Sequence, residues 1–197
     1  MEKKLLITGF DPFGGGKINP SWEAVKLLPE RVGEYQIHKL AIPTIFGTAA
    51  EMILAQAQQL HPNVIISVGL AGGRDAVTPE RIAVNIRDAR IADNQGTQPQ
   101  GDRIVQDGPA AYFSTLPVEQ IAERIRKKDI RATVSNTAGT FVCNDVLYTL
   151  LHRFDGTAVR VGFIHVPHLP EQAKAGGASM PLEDIIRGLS AAIKALG

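Results

Sequence analysis

Val64-Ile65-Ile66-Ser67-Val68-Gly69 is the stretch on which the fold turns. Its first five positions are β-branched except for Ser67, and polar residues do not alternate through it. Such a strand is buried on both faces, which places it at the centre of a parallel sheet with helices on either side. Its neighbours supply those layers. Upstream, Thr48 to Leu60 carries apolar residues at helical spacing and ends at His61-Pro62. Tyr35 to Ile42 alternates and stops at Pro43, and Leu5-Leu6-Ile7 reads as a buried first strand ending at Gly9. Ser21 to Leu28 is expected to form a short helix with Ser21 as N-cap. Downstream, Arg81 to Ile86 alternates, Pro117 to Lys128 reads as a helix, Ala132 to Val134 as a short strand and Val142 to Leu151 as a helix. Val159 to Val166 is the last strand. Pro181 to Leu196 is a closing helix with Ile185, Ile186, Leu189 and Ile193 on one stripe. Strands alternating with helices predict an α/β sheet covered on both faces. Asp88 to Pro109 breaks the pattern as a long polar loop with Gly96, Gly101 and Gly108, and loops of that length are usually functional or mobile. No repeat or low-complexity linker divides the 197 residues, so one domain, 1–197, is the simpler reading.

Composition narrows the function. Lys and Arg number 21 against 20 Asp and Glu. That balance argues against a protein built to grip nucleic acid or an anionic membrane, both of which need clustered cations. A lone cysteine excludes an intrachain disulfide and the cysteine-rich zinc motifs. No run approaches the roughly 20 apolar residues of a membrane span. Met1 to Phe10 reads as a strand rather than a secretory signal, so a reducing, cytoplasmic setting is the default.

Three glycine-bearing segments follow or precede regular elements at what should be one edge of the sheet. Gly9 to Lys17 is not a phosphate loop, because Asp11 stands where the first glycine belongs and Ile18 follows the lysine. Gly69-Leu70-Ala71-Gly72-Gly73 does not spell a dinucleotide fingerprint, and Ala138-Gly139-Thr140 is weak alone. Together they point to a shared site, since open α/β sheets bind ligands beyond the carboxyl ends of their strands. Cys143 falls where such a turn gives way to a helix. Helix N-terminal N–H groups favour a thiolate and are able to hold an oxyanion. A thiolate nucleophile needs a histidine. His38 and His61 read as structural. His152 lies nine residues along the same helix, about 13.5 Å away and on the opposite side. His165 ends the last strand on the face of Val161 and Phe163, while His168 lies in the loop beyond it. Sequence geometry favours His165 and leaves His168 as rival. Glu80, Asp75, Asp88, Asp93 and Asp145 all compete as the group that orients the imidazole, and spacing does not choose among them.

These segments resemble one family. Gly9-Phe10-Asp11-Pro12-Phe13-Gly14-Gly15 with Asn19-Pro20-Ser21, Ala71-Gly72-Gly73-Arg74 with Thr78-Pro79-Glu80-Arg81-Ile82-Ala83-Val84-Asn85, Asp88-Ala89-Arg90-Ile91 with Asp93-Asn94-Gln95-Gly96, Ser135 to Asn144, and Gly162-Phe163-Ile164-His165-Val166-Pro167 are similar to the motifs of the pyroglutamyl peptidase I (pyrrolidone-carboxylate peptidase) family. The resemblance implies a three-layer α/β/α sandwich around a mostly parallel twisted sheet. It implies a cysteine exopeptidase that removes N-terminal pyroglutamyl residues, with Cys143 as nucleophile, His165 as base and acid, and Glu80 as orienter. It further implies a cytoplasmic homo-oligomer, a tetramer. His168 stands where relatives often carry Tyr, and Leu70 where Gln is common.

A neutral lactam without a free amine calls for an apolar pocket with a few hydrogen bonds. Phe10 and Phe13 are candidates to pack against the ring, with Asn19, Leu70, Phe141 and Val142 as further lining and Arg90 as an aid to the oxyanion. Neither a metal nor an organic cofactor is expected. The partners are peptides bearing N-terminal pyroglutamate, with no nucleic acid and no membrane. The rivals are a small-molecule-binding or phosphorolytic α/β enzyme, which has no need of Cys143, and a non-catalytic member that keeps the fold.

Overall fold

The computed structural model describes residues 3–174 and 176–197. Along the chain the elements are β1 (Lys3–Phe10), α1 (Pro20–Lys26), β2 (Arg31–Val32), β3 (Tyr35–Ile42), α2 (Thr48–Leu60), β4 (Val64–Leu70), β5 (Thr78–Pro79), β6 (Ile82–Val84), β7 (Arg87–Asp88), β8 (Gln100–Asp102), β9 (Ala111–Phe113), α3 (Val118–Arg126), α4 (Val142–Arg153), β10 (Arg160–Val166) and α5 (Leu182–Lys194), with a 3-10 turn at Pro170–Gln172.

β4 lies inside a sheet of order β2-β3-β1-β4-β10-β5. β3, β1, β4 and β10 run parallel, while the short β2 and β5 are antiparallel at the two edges. The period of two sorts each strand onto two cores. Leu5, Ile7, Val64, Ile66, Val68, Ile164 and Val166 meet α1, α3 and α5 through Val25, Ile121, Ile185 and Leu189. Leu6, Phe10, Ile65, Val161 and Phe163 meet α2 and α4 through Ile53, Val146 and Leu150. The result is the expected α/β/α sandwich. Among the described residues, no helix is long and apolar enough to cross a membrane.

Three local readings change. Asn19, not Ser21, caps α1: its Oδ1 accepts from the Ser21 N–H at 3.1 Å and the Ser21 hydroxyl at 2.9 Å, and Pro20 takes the first helical position. The stretch Ala132 to Val134 forms no strand, only isolated bridges, Val77 to Ala132 and Glu80 to Ser135. Residues 88–109 are not structureless, since β7 pairs with β8. Within them the Asp93 carboxylate accepts from the N–H groups of Phe46, Gln95 and Thr97. The Asn85 amide binds the main chain of Ile104, Val105 and Gly108. A polar composition hid this order because it is held by side-chain to main-chain bonds rather than by apolar packing.

Gly9 shows how closely α1 sits on the sheet. A Cβ there would lie 2.6 Å from Trp22 Cα and 2.7 Å from Trp22 N, both fixed backbone atoms. Gly9→Ala should therefore force α1 away and destabilise the fold by about 1–3 kcal/mol. The measurement is the urea midpoint, and an unchanged midpoint would show that the helix has room to yield.

Candidate active site

Cys143 is the second residue of α4, a helix whose N-cap is Phe141. Among the described residues, no side chain caps this N-terminus, so its first N–H groups point out unclaimed by any cap. The two residues after the cysteine fix the helix start. Asn144, fully buried, receives the Val84 N–H at 2.9 Å and donates to the carbonyls of Val84 and Ile86. Asp145, also buried, pairs with Arg87 Nε at 2.7 Å and accepts from the Gly47 N–H at 2.8 Å.

The sulfur rests on the sheet beside the end of β10. A Cβ on Gly69 would lie 2.9 Å from Cys143 Sγ and 2.8 Å from the Phe163 ring, so this position must stay bare. Gly69 is the cross-strand neighbour of His165, and Cys143 and His165 line the same cavity. The Phe163 and His165 rings lie 4.7 Å apart.

Glu80 reaches this face through β5. Thr78 pairs with His165 across the antiparallel edge, and Glu80, two residues on, projects to the same side. Its N–H donates to the Phe163 carbonyl at 2.9 Å. His165 Nδ1 lies 2.7 Å from Glu80 Oε1. A carboxylate only accepts, so Nδ1 donates the proton of this bond, and in the neutral imidazole Nε2 is then the acceptor. Arg74 Nη1 donates to the same oxygen at 2.7 Å. Oε2 is buried with no hydrogen bond among the described residues.

The electrostatics follow from burial. Burial works to raise the Glu80 pKa, but the hydrogen bond and charge of His165, with smaller effects from Ser135 and Arg74, hold the carboxyl below its ordinary value. Cys143 goes the other way. Burial, followed by the Glu80 charge, pushes the thiol up to about 12, against the opposing effects of Arg74 and the Cys143 N–H. The main-chain N–H at the helix start does pull this pKa down, as expected, but desolvation outweighs it. Proton loss to bulk water is disfavoured at neutral pH. Were its proton to pass to the His165 imidazole across the shared cavity, Glu80 is placed to balance that charge.

The cavity over these groups has a volume of about 280 Å³. Phe10, Phe13 and Phe141 line it, with Phe13 and Phe141 centroids 6.1 Å apart. Cys143 keeps partial exposure although it lies deep. An opening of this size takes a small, largely apolar group next to a sulfur, an imidazole and a bare helix end.

A sequence profile described as pyroglutamyl peptidase matches residues 3–197. The chain belongs to the pyroglutamyl peptidase family. Relatives include the pyrrolidone-carboxylate peptidase of Clostridium perfringens, 50% identical over 197 residues and covering 98% of this chain and 92% of that protein. The Levilactobacillus brevis pyrrolidone-carboxylate peptidase is also 50% identical, covering 98% and 97%. The crystal structure of pyroglutamyl peptidase I from Bacillus amyloliquefaciens superposes with a TM-score of 0.96 at 46% identity, covering 100% of this chain and 95% of that one.

The sequence motifs of the family do not all converge on the cavity. Phe10, Phe13, Leu70 and Phe141 line it. Asn19 lines it too, but its amide serves its own chain, donating to the Asp11 carbonyl at 2.8 Å and capping α1. Val142 is fully buried in the α2–α4 core and is not part of the wall, because the helix turns it away from the opening. Arg90 is exposed and outside the lining. The cation that does line the cavity is Arg74. His168 packs against Gly72 and faces a neighbouring cavity with Lys17 and Glu171. Two further features escaped the sequence reading. Thr44 forms part of the wall, beside the 137–139 turn that the glycine pattern points to. Asn94 clasps the Phe13 loop by donating to Asp11 Oδ1 at 3.1 Å and the Pro12 carbonyl at 2.9 Å. A polar residue in a long loop gave no signal of either.

Two measurements test this electrostatic account. At neutral pH, iodoacetamide should alkylate Cys143 in the wild type and leave it largely unmodified in His165→Ala, where reaction returns only toward the thiol's own pKa of about 12. Equal rates in the two at pH 7 would show that the sulfur ionises without the imidazole. Folding lowers the Glu80 pKa below its ordinary 4.5. Stability tied to this carboxylate is therefore fully present above that pH and lost as pH falls through the lower folded value. Glu80→Gln should flatten part of the acid-side fall in unfolding free energy, and an unaltered acid limb would contradict the assignment.

Proposed function

We infer that the chain is a pyroglutamyl peptidase, a cysteine exopeptidase that releases the N-terminal pyroglutamyl (5-oxoprolyl) residue of peptides. Its membership of the family carries the activity, and the joint placement of Cys143, His165 and Glu80 around one aromatic cavity carries the mechanism.

In the cycle proposed here, the substrate lactam enters the cavity among Phe10, Phe13 and Phe141. The ring is flat and neutral, suited to aromatic walls and main-chain hydrogen bonds. His165 Nε2 takes the Cys143 proton as the sulfur attacks the carbonyl that joins pyroglutamate to the next residue. N–H groups at the start of α4 receive the oxyanion, an arrangement worth about 10²–10³ in rate per donor elsewhere. The tetrahedral intermediate collapses when the imidazolium protonates the leaving amine, and the shortened peptide departs. Water, deprotonated by His165, then attacks the thioester, and the thiol and free pyroglutamate are regenerated. Glu80 holds Nδ1 throughout and balances the imidazolium charge. These steps use no metal or organic cofactor. The proposal includes a cytoplasmic setting and a homotetramer of single catalytic domains.

Substrate selection follows from charge. An N-terminal proline has an ammonium and lacks the lactam carbonyl, so it leaves the groups that meet the lactam unpaired in a dry site. Wild type should release aminomethylcoumarin from its pyroglutamyl derivative and not from its prolyl derivative. Cys143→Ser should lower kcat by about three orders of magnitude or more. Failure of the wild type to cleave would reject the activity, and turnover surviving the substitution would reject the nucleophile.

A further inference from the structure

Arg74 lies on the cavity wall without a part in the steps above. We infer that Arg74 is a positioning residue that locks the Glu80 carboxylate against His165 and supplies the cation that faces the Cys143 sulfur. This rests on the catalytic reading of Cys143, His165 and Glu80.

The geometry is that of a planar fork with all its contacts on the site. Nη1 donates to Thr78 Oγ1 at 2.6 Å and to Glu80 Oε1 at 2.7 Å, and Nη2 donates to the Thr137 carbonyl at 3.1 Å. The guanidinium therefore joins three segments: the edge strand β5, the carboxylate after it, and the turn that leads into α4 and Cys143. Glu80 Oε1 is the meeting point of Arg74 Nη1 and His165 Nδ1, each at 2.7 Å, while Oε2 is unbonded among the described residues. With both donors on one oxygen, the carboxylate has a single orientation. Without Arg74, the Glu80 oxygen that meets His165 would lose its second donor, and the imidazole would have a less fixed partner. A lysine retains the charge but not the fork.

The charged groups that face the sulfur are few. Glu80 comes from beyond β5, Arg74 from the loop after β4 and His165 from β10. Asp145 on α4 is turned to Arg87 and Gly47, and Asp11 after β1 is bonded to Thr44 and Asn94. Arg74 is thus the nearby fixed cation opposing the Glu80 charge at Cys143. Removing it favours the protonated forms of both Cys143 and Glu80, so higher pH is needed to generate the reactive pair.

The test measures two pH profiles in wild type, Arg74→Gln and Arg74→Lys. One is iodoacetamide alkylation of Cys143, and the other is kcat/KM on pyroglutamyl-aminomethylcoumarin. In R74Q the acid limb of both should move up by about one pH unit, with kcat lower by about tenfold and KM within about twofold. In R74K the limb should stay near that of wild type, with kcat partly restored. Unmoved limbs in R74Q, an equal displacement in R74K, or a change confined to KM would each overturn the inference. If wild type does not cleave the substrate yet the alkylation limb shifts as described, the positioning role stands and the peptidase reading falls. If R74Q does not fold by circular dichroism, the shape-conserving Thr78→Val carries the same test. It removes one anchor of the fork and keeps the charge, so kcat should fall with KM within about twofold and the limb near that of wild type, and an unchanged kcat would overturn the inference.

Discussion

A carboxylate with no solvent exposure, fixed 2.7 Å from an imidazole nitrogen, is the constraint around which this protein is organised. Burying a charge is costly unless opposite charges and donors meet it. Here His165 and Arg74 converge on one Glu80 oxygen. That convergence depends on a two-residue strand. β5 pairs with the end of β10, and its register sets Glu80 on the face of the sheet that carries His165 and Phe163. On the other side of β10, its parallel register with β4 puts the bare Gly69 backbone beside His165, which leaves the space that Cys143 Sγ occupies. A slip by one residue would turn Glu80 to the other face and leave its charge among aliphatic side chains.

The sheet supplies the reacting groups, but loops build the chamber in which they work. The Asp11 carboxylate accepts from the Thr44 N–H at 2.7 Å and from Asn94, while its carbonyl accepts from Asn19. Asp93 gathers three main-chain N–H groups, one of them from Phe46, whose ring meets Phe141 edge-on at 5.2 Å. Asn144 and Asp145 tie α4 to the segment after Glu80 and to Gly47. The aromatic walls are therefore held from behind by polar side chains, most of them bonded to backbone. Such bonds are directional, and they set ring positions that apolar packing alone would leave loose.

The sequence made the parallel core legible for physical reasons. The β-branched run before Gly69 suits a strand buried on both faces, and helical spacing with terminal Pro or Gly placed α2 and β3 at their observed limits. That Cys143 opens a helix and His165 closes a strand also followed from local pattern. Other parts depended on contacts between distant residues. Which carboxylate meets His165 depends on β5, too short to read from periodicity. Which arginine lines the cavity depends on loop paths, and the structure takes Arg74 inward and leaves Arg90 outside. The thiol's raised pKa is set by depth, which a helix-end argument does not contain. Ser21 resembles a cap in the sequence, but Pro20 starts the helix one residue earlier and gives that place to Asn19.

The chain has one sulfhydryl, and it sits at the bottom of the aromatic chamber. Oxidation of that sulfur to a sulfenic acid would meet no second cysteine in the same chain to trap it as a disulfide. The fold thus offers no internal route back from such damage. Repair by small diffusible thiols is the means left to it, and the reducing power of the surroundings sets how long each molecule stays competent.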